Sequence, residues 1–110
     1  MTNTKDNINL IAKATVQPDE GGQLALEYFL RCYTGPEGEA LYGMRIDMRN
    51  PSGNLIEREE TKALSGSKED ITVLVEAFAE GTVMPCTLHE MVEEWFCKKT
   101  KKFVQEKQAV

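Results

Sequence analysis

The sequence predicts an α+β domain: a four-stranded antiparallel β-meander followed by two C-terminal helices packed on one face of the sheet. Three observations predict it. Apolar residues alternate at period two through the first half of the chain, Pro- and Gly-containing turns punctuate that half, and the period changes to a helical one near Ser67. The chain has 110 residues, the length of a single domain, with strands expected over about 8–64 and helices over about 68–80 and 88–104.

Ile8 to Val16 reads as the first strand, with Ile8, Leu10, Ala12, Ala14 and Val16 on one face and Ile11 out of phase. Pro18 to Gly22 supplies a turn. Leu24 to Thr34 is the strongest strand, with Leu24, Leu26, Tyr28, Leu30 and Cys32 on one face and Ala25, Glu27, Phe29, Arg31 and Tyr33 on the other. Gly35-Pro36-Glu37-Gly38 turns the chain into Leu41 to Arg49. There Tyr42, Met44, Ile46 and Met48 face one way, while Gly43, Arg45, Asp47 and Arg49 face the other, towards water. After Asn50 to Asn54, Leu55 to Leu64 forms a charged strand suited to a sheet edge.

Ser67 is placed to cap the first helix, with Glu69 and Asp70 in its first turn favoured by the helix dipole. Ile71, Leu74, Val75 and Phe78 mark its apolar face. Gly81 is expected to end that helix in a left-handed conformation. Thr87 and Glu90 have capping-box spacing at the start of the second helix, whose apolar face is Leu88, Met91, Val92, Trp95 and Phe96.

The hydrophobic fraction of 41% and charged fraction of 28% belong to an ordinary globular protein. The net charge of −5 disfavours generic binding to polyanions, so no nucleic acid is expected as a partner. The polar start lacks the apolar stretch of a secretory signal, and no apolar run approaches the roughly 18 residues of a membrane span. Three cysteines, an odd number without close pairs, suit free thiols in a reducing compartment. A cytoplasmic protein without membrane contact is the expectation.

Two segments carry a family resemblance. Tyr42-Gly43-Met44 leads into a strand, and Val83-x-Pro85-x-x-Leu88-x-x-Met91-Val92-Glu93-x-x-Phe96 joins the two helices. Together they resemble a family of small, uncharacterised bacterial proteins with a domain of unknown function, over roughly Leu24 to Phe96. The resemblance implies a bacterial cytoplasmic protein and assigns no activity or site residue. Taken by themselves, Pro85, Leu88 and Val92 start and pack a helix, and Glu93 lies on its wet side.

Few residues offer chemistry. His89-Glu90-x-x-Glu93 shares two positions with the zinc-protease pattern but lacks its second histidine. His89, Glu93 and Cys97 fall on one side of the helix, yet His89 and Cys97 are about 12 Å apart along it. A single ion with bonds near 2 Å cannot span that distance. Cys86 near a helix start, with His89 three residues on, could pair a nucleophile with a base, but no orienting third group is identified. No phosphate-binding glycine loop occurs. No cofactor is expected. Lys98 to Lys102 is a basic run at a helix end.

The function these residues support is a non-catalytic module for protein interaction or self-association. The alternatives are a small enzyme or metal-binding protein using Cys86, His89 and Glu93, and an anionic-surface binder using Lys98 to Lys102. Two helices cover only one face of four strands. A homodimer is therefore expected through the other face, with Phe29, Tyr33, Ile11 and Leu41 as an apolar centre and Glu27, Arg31 and Arg45 as its rim.

Overall fold

A computed structural model of the protein describes residues 7–18 and 22–97. Strands β1 (Asn7–Val16), β2 (Leu24–Thr34), β3 (Ala40–Arg49) and β4 (Leu55–Glu60) pair in the order β1-β2-β3-β4, each pair antiparallel. Helix α1 spans Lys68–Glu80. A 3-10 turn over Pro85–Thr87 runs directly into a second helix, α2, described over residues 88–97. Its expected extension to about residue 104 lies outside the described residues. The architecture is the α+β meander with its helices on one face.

The core lies between sheet and helices. Leu26, Tyr28 and Leu30 of β2 and Met44, Ile46 and Met48 of β3 meet Ile71, Leu74, Val75 and Phe78 of α1, and Leu88 and Val92 of α2. Helix α1 lies over β1, β2 and β3, and the 3-10 turn lies over β3 and β4. Trp95 is half-buried and meets the Phe78 ring edge-on, with centroids 6.0 Å apart. The fully buried Tyr28 donates its hydroxyl to the Val83 carbonyl at 2.9 Å, tying the sheet to the inter-helix connection.

The first strand departs from simple alternation. Leu10 opposes Phe29 and Ala12 opposes Tyr28, so Ile11 is the extra residue of a β-bulge. Ile8 and Leu10 consequently turn away from the helices, while Ile11, Ala14 and Val16 pack against the core. The five-residue apolar face expected of this strand is thus split in two.

The fourth strand ends at Glu60 rather than Leu64. Thr61 donates its N–H to the Met44 carbonyl at 2.9 Å, and its hydroxyl oxygen accepts the Met44 N–H at 3.0 Å. Backbone pairing resumes where Tyr42 donates to Ser65 at 2.7 Å and Leu64 to Tyr42 at 2.7 Å. Gly43 sits at this close crossing. A Cβ there would lie 2.6 Å from both the Lys62 carbonyl and the Thr61 hydroxyl, which explains the glycine in Tyr42-Gly43-Met44.

Ser67 caps α1 as expected, accepting the Asp70 N–H at 3.1 Å. The C-terminus differs. Gly81 has φ −83°, and the left-handed residue is Thr82 at φ 56°. Val83 donates to Phe78 O at 3.0 Å and Thr82 to Ala79 O at 3.1 Å, the paired bonds of a Schellman ending with threonine where glycine is usual. Thr87 does not form the expected capping box: its hydroxyl donates to the Met84 carbonyl at 3.2 Å. Helical structure begins at Pro85, where a residue without an N–H leaves no donor unsatisfied.

Two outcomes follow from these contacts. Thr82→Gly removes the left-handed strain and should raise stability by about 0.5–1 kcal/mol in urea denaturation, whereas Gly81→Ala should change it little. Burial pushes the Tyr28 phenol from 10.0 up to about 12. The unfolded chain loses that proton near pH 10, so stability should hold below pH 10 and fall between pH 10 and about 12. Tyr28→Phe should be less stable at neutral pH, by about 1–3 kcal/mol for the orphaned Val83 carbonyl, but should show a shallower alkaline fall.

Candidate functional site

The sheet face away from the helices is built from cross-strand rows. One row runs Lys13, Glu27, Asp47, Arg58; the next runs Leu10, Phe29, Arg45, Glu60; beyond it lie Ile8, Arg31 and Gly43, then Tyr33 and Leu41. At the other end Thr15, Ala25 and Arg49 align. Strand alternation delivers these residues to one surface, and the bulge at Ile11 adds Ile8 and Leu10.

Asp47 is the centre of this face. Periodicity assigns it to water, yet it is 0% exposed because guanidinium groups close over it. Arg58 binds it in bidentate fashion, Nε to Oδ1 at 2.8 Å and Nη2 to Oδ2 at 3.0 Å. Arg45 donates Nη2 to Oδ2 at 3.2 Å, and Arg49 Nη2 lies 4.0 Å from the same oxygen. The hydrogen bond to Asp47, more than the surrounding charges, raises the Arg58 pKa above its ordinary value. Arg49 also donates Nε to Glu27 at 2.9 Å and Nη1 to the Gly53 carbonyl at 3.2 Å.

The aromatic residues of this face are covered. The Arg45 guanidinium stacks 4.6 Å above the Phe29 ring, and that of Arg31 stacks 4.7 Å above Tyr33. Arg31 pairs with Glu60 across the side-chain-free strip at Gly43. Tyr33 donates its hydroxyl to the Thr61 carbonyl at 2.5 Å. Phe29, Tyr33 and Leu41 therefore share the face, all half-buried, but they form no bare apolar patch. Ile11 is not among them, because the bulge turns it to the core, and Leu10 stands opposite Phe29 instead. Expecting an apolar centre with a charged rim misses Arg49, Arg58, Asp47 and Glu60, although Arg45-x-Asp47-x-Arg49 signals charges alternating along one face.

The residues with chemical potential lie elsewhere. Cys86, His89, Glu93 and Cys97 are all exposed. His89 Nε2 lies 3.1 Å from Glu59 Oε1, so this histidine ties α2 to β4. Among the described residues no group of three or more His, Cys, Asp or Glu side chains is placed to hold one metal ion. The lysines of the run Lys98 to Lys102 lie outside the described residues. No helix among those described is long and apolar enough to cross a membrane.

The model of a family of unknown function, DUF6514, matches residues 7–98, a span that includes every strand and helix described above. The chain matches no curated protein and no solved structure.

Removing the Asp47 carboxylate would leave its guanidinium partners without their shared counter-charge. Asp47→Ala should therefore cost about 1–3 kcal/mol in urea denaturation, less than a fully buried pair would, because the guanidinium groups left behind are themselves partly open to water. A loss below about 0.5 kcal/mol would mean that water and the arginines' other partners, Phe29, Glu27 and the Gly53 carbonyl, hold them in place without it.

Proposed function

We propose that this chain, which belongs to the DUF6514 family, is a non-catalytic protein-interaction module that binds an acidic protein surface through the open face of its sheet. The observation that carries this reading is charge segregation. Five cations on that face, Lys13, Arg31, Arg45, Arg49 and Arg58, stand against three carboxylates, Glu27, Asp47 and Glu60. Among the other described residues only Lys62 and Lys68 oppose eleven carboxylates. A chain of net charge −5 thus presents a basic plane on one side.

Stacking on Phe29 and Tyr33 supports the same reading, because it presets the Arg45 and Arg31 guanidinium groups before any partner arrives. A second copy laid face to face would oppose like charge to like charge, so this plane suits a different, acidic surface. The reading as an enzyme or metal protein has less support, since Cys86 and Glu93 are separately exposed and His89 is engaged by Glu59. The bacterial cytoplasm is the setting we infer, supported by the resemblance in the Tyr42 and Val83–Phe96 segments and by three free cysteines.

Poly-L-glutamate is a suitable acidic polypeptide probe. It should bind the wild type with an affinity that falls steeply as salt rises from about 50 to about 200 mM. The double variant Lys13→Glu/Arg58→Glu, checked for folding by circular dichroism, should bind at least about tenfold more weakly. Equal binding by the variant would remove this face as the site, and tighter binding to duplex DNA than to poly-L-glutamate would reassign the partner class.

A further inference from the structure

The two edges of the sheet are unlike. β4 is six residues long, carries Glu57, Arg58, Glu59 and Glu60, and is irregular where it meets Arg49, all features that discourage a further strand. β1 is ten residues long with Lys13 as its single charge and no proline. Among the described residues no strand pairs with its outer edge. At that edge Ile8 and Leu10 are 39% and 46% exposed, the large apolar side chains that the bulge turns to the open face.

We propose that the outer edge of β1 pairs antiparallel with β1 of a second copy about a two-fold axis at Asn9, joining two sheets into one of eight strands. The exposed aliphatic side chains select this register: centring between Ile11 and Ala12 would also match in face, but it would set Leu10 against Lys13 and Ile8 against Thr15. Directly opposed residues of antiparallel strands share a face. With Asn9 opposite Asn9, Ile8 meets Leu10 of the other copy on the open face, and Asn7 meets Ile11 on the helix face. Every described pair from Asn7 to Ile11 then matches in face. Centring on Leu10 instead would oppose Ile8 to Ala12, which the bulge has put on opposite faces. The occupant is a copy of this strand because the exposed part of the ladder is self-complementary: on the open face Ile8 meets Leu10 twice, Asn9 meets Asn9 at the axis, and no charge meets its like. Five residue pairs bury less than the roughly 1,200 Å² of a standard interface, so the dimer is reversible and concentration-dependent. It leaves both basic faces open on the same side of the joined sheet and is independent of what they bind.

Sedimentation velocity from about 1 to about 200 μM should show a monomer shifting to a dimer, as a short interface requires. Leu10→Lys should hold the protein monomeric throughout, while Leu55→Lys, at the other edge, should dimerise like wild type. With Cys32, Cys86 and Cys97 replaced by serine, Asn9→Cys should form an intermolecular disulfide on mild oxidation, since residues facing themselves across the axis lie within bridging distance, and Thr15→Cys should not. A monomer at every concentration would overturn the proposal and leave the edge to an extended segment of another protein. A dimer that survives Leu10→Lys, or fails to cross-link through Asn9→Cys, would overturn it in favour of another surface.

Discussion

Four strands make a wider surface than two helices make a roof, and the rest of this structure answers that mismatch. The helix-facing side buries Leu26, Tyr28, Leu30, Met44 and Ile46 in the ordinary way. The other side must meet water while still packing side chains tightly enough to hold the strands in register. It does so with guanidinium groups, whose flat apolar faces lie on Phe29 and Tyr33 while their edges reach carboxylates. Asp47 is the counter-charge that lets Arg45 and Arg58 converge, and its burial under them is why a carboxylate can sit at the centre of a surface without meeting solvent.

The helix side is closed at a point far along the chain. Tyr28 reaches the Val83 carbonyl, and that carbonyl is available because the Schellman ending at Thr82 turns the backbone towards the sheet. Val83 and Phe78, buried together there, supply the apolar contact that accompanies such an ending. Pro85 then restarts helical structure without an orphaned donor. The segment from Val83 to Phe96 is thus intelligible as architecture, in the same way that Gly43 is intelligible from the crossing by Thr61 and Lys62.

Strands and helices were legible because burial imposes a period, and the long runs through Tyr28 and through Leu74 display it openly. What periodicity cannot express is a shift of phase or a contact between side chains on different strands. One inserted residue at Ile11 moved Ile8 and Leu10 to the opposite face while leaving each side chain as apolar as before. The covering of Phe29 by Arg45 depends on cross-strand register, which only the paired strands define. Thr82 was hidden for another reason: glycine is the statistical favourite for a left-handed helix end, and a neighbouring Gly81 drew that assignment although the hydrogen bonds needed the turn one residue later. The charged character of the open face was half visible, as Arg45-x-Asp47-x-Arg49. Its convergence on one buried carboxylate was not, since Arg58 comes from the next strand.

The long span between Tyr28 and Val83 also has a consequence for biosynthesis. All four strands leave the ribosome before either helix, so the oily side of the sheet exists first without its cover. The partner of Tyr28 follows 55 residues later, which at bacterial or eukaryotic elongation rates is roughly 3–11 s of translation. During that interval the nascent chain has its most adhesive surface bare and its capping helices still inside or just outside the exit tunnel. Premature stop codons after Glu60 would therefore release sheets that stick to one another, rather than shortened but soluble proteins.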